Sequence, residues 1–103
     1  NNNIELGSTY LGVLLKDSPL REIQNPVSRE YCAIAAYNTG PSNVMRAFSQ
    51  LKNSRERQYD AINKINAMKP EQVYDALRTR LPYEETRGYI VKVVEAKKLY
   101  AVM

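Results

Sequence analysis

Asn25-Pro26-Val27-Ser28-Arg29-Glu30-Tyr31-Cys32-Ala33-Ile34-Ala35-Ala36-Tyr37-Asn38-Thr39-Gly40-Pro41 reads as one complete helix with both ends marked. Asn25 can accept from the first unpaired backbone N–H groups, and the fixed φ of Pro26 suits the first helical position. Tyr31, Ile34, Ala35 and Ala36 run through its interior. Small side chains let neighbouring backbones come close, so a central, tightly packed helix is expected. At the far end Gly40 can take a positive φ and Pro41 cannot continue a helix.

The same spacing continues on either side. Ile4, Gly7, Leu11, Leu14 and Leu15 form one stripe, with Asn2 or Asn3 as cap and Asp17-Ser18-Pro19 as the stop. Residues 17–26 read as a loop. Beyond Pro41, Ser42 is expected to cap a helix carrying Val44, Met45, Ala47 and Phe48. The polar stretch Gln50 to Arg57 reads as a second loop. Helical spacing resumes at Tyr59, Ile62, Ile65, Asn66 and Met68. Pro70 opens another helix through Val73, Tyr74 and Leu77, with Glu71 near its positive end. Leu81-Pro82 breaks the chain. A last helix from about Tyr83 to Tyr100 turns Tyr89, Ile90, Val93, Val94, Ala96 and Tyr100 inward. The sum is an all-α bundle of about six short helices with no strand-like alternation.

Composition narrows the chemistry. The chain has 103 residues, enough for one domain, with 44% hydrophobic and 25% charged residues. No apolar run approaches the roughly 20 residues needed to span a bilayer. There is no His, so zinc sites that use it and His-based triads are excluded. The single Cys32 allows no internal disulfide and reads as a buried small apolar residue. Acid–base work is left to carboxylates, Tyr or Lys. A net charge of +4 can attract nucleic acid, anionic lipid or an acidic polymer without choosing among them.

Eight Tyr stand against one Phe and no Trp. Tyr offers a face for a sugar ring and a hydroxyl for hydrogen bonding, although most such rings simply pack. Tyr37 and Asn38 fall where a small-residue helix ends, a place from which side chains can enter a cleft. The plainer reading of Asn38 and Gly40 is a helix C-cap.

Three blocks then carry a resemblance. Ala36-Tyr37-Asn38-Thr39-Gly40 closely resembles the Ala-Tyr-Asn-x-Gly motif of lytic transglycosylases of the soluble-transglycosylase type, relatives of goose-type lysozyme. Pro82-Tyr83-Glu84-Glu85-Thr86-Arg87-Gly88-Tyr89 looks like that family's Pro-x-x-Glu-Thr-Arg-x-Tyr signature. Asn3-Ile4-Glu5-Leu6-Gly7-Ser8-Thr9-Tyr10-Leu11 is similar to its Asn-Ile-x-x-Gly-x-x-Tyr-Leu helix. The blocks occur in the family's order and sample the chain from end to end. Asn25-Pro26 and the compact spacing look most like the membrane-bound C-type enzymes.

The resemblance implies a lysozyme-like helical domain, with residues 1–103 as the C-terminal part of its catalytic unit. It implies cleavage of the bond between N-acetylmuramic acid and N-acetylglucosamine in peptidoglycan, giving a 1,6-anhydro product. It implies no cofactor and no metal. The family's catalytic Glu stands in a Glu-Ser pair followed by Gly-Leu-Met-Gln. Neither occurs in this sequence, so the acid is expected ahead of Asn1 and the chain alone is expected to be inactive. For substrate binding the resemblance selects Tyr37, Asn38, Glu85 and Tyr89. Glu85 and Tyr89 share a helix face, four residues apart. Glu85 would otherwise be a first-turn carboxylate favoured by the helix dipole, and Arg87 reads as a solvated surface charge.

The expected partner is the peptidoglycan strand, in the bacterial periplasm or cell envelope, with the outer membrane as one expected location. Membrane contact is expected only through a lipid anchor outside the chain. An apolar cleft lining left exposed would favour self-association into a dimer. The alternative is a glycan-binding module without chemistry. A basic nucleic-acid binder would need a recognition helix, and none is evident.

Overall fold

The computed structural model describes the backbone of residues 19–102 and the side chains as far as Ala96. The stripe expected from Ile4 to Leu15 lies outside the described residues. Five α-helices follow a 3₁₀ turn at Pro19–Glu22. They are α1 (Pro26–Thr39), α2 (Pro41–Arg46), α3 (Ser54–Asn66), α4 (Pro70–Arg80) and α5 (Glu84–Val102). No strand occurs among the described residues, so the all-α expectation holds.

Helix α1 is central, packing against α2, α4 and α5. The cap expected at its start is present. Asn25 Oδ1 accepts from the backbone N–H of Val27 at 2.8 Å and of Ser28 at 3.1 Å. Cys32, Ala33, Ile34, Ala35 and Ala36 are all buried. A run of five such positions cannot belong to one apolar stripe; it means helices on several sides, which small side chains permit. Gly40 closes α1 at φ 93°, its N–H donating to the Ala36 carbonyl at 2.8 Å.

Two expected boundaries move. Helix α2 starts at Pro41 with Gly40 in the cap position, so Ser42 is not the cap. The proline's φ already satisfies the first helical position, and the helix begins two residues early. The loop expected over Gln50 to Arg57 is shorter, because α3 starts at Ser54. Asn53 Oδ1 accepts from the Glu56 N–H at 3.0 Å and caps it. The first turn of α3, Ser54-Arg55-Glu56-Arg57, has no apolar residue, so hydrophobic spacing could not reveal it.

The expected loop over residues 17–26 contains the 3₁₀ turn, which buries Leu20 and Ile23. Asn66 fastens that turn to the end of α3. Its Oδ1 accepts from the Gln24 N–H at 2.8 Å, and its Nδ2 donates to the Glu22 carbonyl at 3.2 Å. Pro70 opens α4 as expected, with Val73 and Leu77 buried. Tyr59 departs from its stripe and is 72% exposed, while Ile62 and Ile65 go inward. On α5, Ile90, Val93 and Val94 are buried and Ala96 is half-buried. Each large core side chain contributes about 1.5–3 kcal/mol through burial. The Tyr100 side chain lies outside the described residues.

Candidate functional site

Helices α1 and α5 pack together so that the end of one meets the start of the other. Thr86 sits in the first turn of α5, one helical step before Ile90 on the buried stripe, and is 2% exposed. Its hydroxyl donates to Asn38 Oδ1 at 2.6 Å. This bond joins residues 48 apart in sequence. It also orients the Asn38 amide: the oxygen is occupied by Thr86, which leaves the NH₂ as the end able to donate elsewhere. Asn38 itself is exposed.

Tyr37 and Tyr89 are half-buried and pack against the core. They are electrostatic neighbours. Burial first, and the Tyr37 phenol second, push the Tyr89 hydroxyl above its ordinary value. It therefore stays protonated and able to donate at neutral pH. Glu85 is exposed, with no hydrogen-bond or ion-pair partner among the described residues. The structure thus links Asn38 directly to the helix bearing Glu85 and Tyr89, and sets Tyr37 beside Tyr89.

A second row of hydrogen bonds stiffens the turn from below. Asn43 Nδ2 donates to the Thr39 carbonyl at 3.1 Å and to Thr39 Oγ1 at 2.9 Å. Arg46 Nη1 donates in turn to Asn43 Oδ1 at 3.3 Å.

Two residues differ from their sequence reading. Arg87 is not a solvated surface charge. It is half-buried, and its Nη1 donates to the Leu81 carbonyl at 2.5 Å, bracing the break between α4 and α5. Thr86 was not among the candidates, yet it makes the bond that unites the site. Its signal was present: a hydroxyl residue in register with Ile90 and Val93 is a polar group on a buried stripe and must find a partner. Cys32 is fully buried, and burial pushes its thiol up to about 12, so it packs rather than reacts. Among the described residues no group of His, Cys, Asp and Glu could hold a metal ion.

An all-helical domain with a braced polar turn over a small-residue central helix is the class that fold and site define. The family model for the Transglycosylase SLT domain matches residues 1–60, more than half of the chain, and the chain belongs to that family. It is also similar to the membrane-bound lytic murein transglycosylase C of Serratia proteamaculans, 46% identical over 99 residues. That match covers 96% of this chain and 26% of the relative. The protein of the same name from Histophilus somni is 46% identical over 101 residues, covering 98% and 26%. The Klebsiella pneumoniae protein is 44% identical over 99 residues, covering 96% and 26%. The likeness to C-type enzymes read from the motifs is thus borne out. The chain spans about a quarter of the length of these relatives.

Proposed function

We propose that this chain is the glycan-holding part of a lytic transglycosylase acting on peptidoglycan in the bacterial cell envelope. The observation that carries the reading is the Thr86–Asn38 hydrogen bond, which couples the Ala-Tyr-Asn turn to the Glu-Thr-Arg helix. Asn38 donates from its amide to the acetamido carbonyl of a sugar. Tyr37 and Tyr89 offer hydroxyls on rings whose bodies are anchored in the core. Glu85 contacts the substrate or its peptide stem from the rim.

In the proposed reaction a Glu outside these residues protonates the oxygen that leaves the muramic acid anomeric carbon. The muramic acid 6-hydroxyl attacks that carbon, the bond to the leaving oxygen breaks, and the hydroxyl proton passes to the base left behind. No water is consumed. The reaction therefore needs no second carboxylate of the kind that activates water or acts as a nucleophile in ordinary glycosidases. The acid must hold its proton near neutral pH, which an apolar wall ensures. The family carries this acid in a Glu-Ser pair, and these 103 residues contain none.

Two measurements test the reading. Titrating the chain with a tetramer of N-acetylglucosamine should shift the amide resonances of Tyr37, Asn38, Thr86 and Tyr89. Extending the chain with a segment that supplies the Glu-Ser pair should yield products one water lighter than hydrolytic ones. Reducing-end products from the extended chain would assign hydrolysis instead. Binding without any cleavage would leave only the glycan-binding module.

A further inference from the structure

We infer that a basic pocket beside the Asn38 turn is a carboxylate subsite, taking the acidic peptide that peptidoglycan carries on its muramic acid. The inference rests on the glycan reading above and adds a second point of contact to it. Arg46, Ser49, Gln50, Leu51, Lys52 and Arg57 line a pocket of about 320 Å³. Three of the six are cations and none is an acid.

Arg57 carries the argument. It is only 9% exposed, and its Nη1 donates to the carbonyls of Leu51 at 3.1 Å and Lys52 at 3.2 Å. These are neutral acceptors. A buried charge is costly unless an opposite charge accompanies it, and Arg57 has no carboxylate partner among the described residues. Its acidic neighbour Asp60 reaches the pocket wall at Ser49 but pairs there and with Lys64, not with Arg57. Glu56 and Asp60 line a separate groove on α3. Asp60 is held by the Ser49 hydroxyl and by Lys64, whose Nζ lies 3.0 Å away. Arg46 and Lys52, both exposed at the rim, raise the positive potential rather than offset it. A guanidinium flanked by a second guanidinium, Arg46, and by the Lys52 ammonium is a fitting receptor for a carboxylate.

Position selects the carboxylate's source. Arg46 connects through Asn43 to Thr39, the residue after Asn38. Helix α2, which separates the turn from the pocket, has six residues and so rises roughly 9 Å. An extended tripeptide spans about 10 Å. A stem attached to a sugar at Asn38 can therefore deliver an acidic group to the pocket.

The test uses the full chain and three probes: the disaccharide bearing an acidic tetrapeptide, the same disaccharide with every peptide carboxylate amidated, and sodium phosphate. The acidic ligand should bind about tenfold more tightly than the amidated one, the lower range for a charge-assisted hydrogen bond. The exposed-rim double variant Arg46→Gln, Lys52→Gln should abolish that difference and melt like the parent. Arg57→Gln should do the same where it remains folded. Equal binding of the two disaccharides, or a difference that survives in the double variant, overturns the subsite. Phosphate displacing the acidic ligand at lower concentration than free tetrapeptide does overturns the carboxylate assignment. If neither disaccharide binds, yet free acidic tetrapeptide shifts the Leu51 and Lys52 amides of the parent and not of the double variant, the subsite stands and the glycan reading falls.

Discussion

Replacing Thr86 by Val separates the stability of the domain from the readiness of its site. Val keeps the shape of Thr and removes the hydroxyl that donates to Asn38 at 2.6 Å. A net intramolecular hydrogen bond is worth about 1 kcal/mol. Nothing is left stranded, because Asn38 is exposed and its Oδ1 can turn to water. The expected loss is thus about 1 kcal/mol, or roughly 4–8 °C in melting temperature for a domain of this size. Thr86→Ser keeps the hydroxyl and loses a buried methyl, which costs about 0.5–1.5 kcal/mol. The two variants should therefore melt alike and bind differently. In Thr86→Val the Asn38 amide is free to rotate, and re-ordering it on a ligand costs about 0.5–1.5 kcal/mol, roughly a two- to twelvefold loss of affinity. In Thr86→Ser that loss should be absent. Thermal melts paired with titration of the N-acetylglucosamine tetramer measure both quantities. Equal affinity in the two variants would refute the claim that Thr86 orients Asn38. A Thr86→Val protein that melts like the parent would refute the hydrogen bond's contribution.

Gly40→Ala should cost about 1–3 kcal/mol in denaturant unfolding, because φ 93° with ψ 150° is a glycine conformation and the space for a Cβ is open, so the cost is backbone strain alone. Arg87→Ala should destabilise by about 1 kcal/mol through the lost Leu81 contact, and Arg87→Lys should restore little of it. Cys32 should resist alkylation at pH 8 in the native chain and react only on unfolding. The folded chain holds the thiol proton more tightly than the unfolded chain, whose thiol titrates near 9.0. Stability linked to Cys32 is therefore complete below that pH and is lost as pH rises towards about 12, which alkaline unfolding followed by circular dichroism checks.

Legibility in the sequence followed the type of signal. The start of helix α1 could be read to the residue, and its end to within a few residues, because Asn25-Pro26 and Gly40-Pro41 are local devices that act through backbone geometry. The starts of α2 and α3 could not. In α2 a Gly and a Ser competed for one cap position, and the choice depended on where Pro41 fits best. In α3 the first turn is polar throughout, and its inward residue is Arg57, which no hydrophobic period registers. Tyr59 shows the opposite limit: it stands at helical spacing with Ile62 and Ile65, yet it faces solvent. At the site, the four candidates came from motif resemblance, and Thr86 and Arg87 were undervalued because their partners, Asn38 and the Leu81 carbonyl, are tertiary neighbours that no single helix pattern contains.

The way these residues are held bears on what each can contribute. A residue that grips a sugar must be exposed and also fixed, and the two demands conflict because an exposed side chain is ordinarily free to rotate. Burying the partner instead of the residue resolves the conflict. Thr86 is inside the core while Asn38 is exposed, and the half-buried Tyr37 and Tyr89 pack against the core. Glu85 has no such brace. Its charge acts over a distance without a set geometry, so Glu85→Gln should alter binding of peptide-bearing glycan mainly through its salt dependence, and binding of the neutral tetramer hardly at all. A large loss of affinity for the neutral tetramer in Glu85→Gln would mean that the carboxylate is ordered by the ligand itself, and Glu85 would then belong with Asn38 among the groups proposed to hold the sugar.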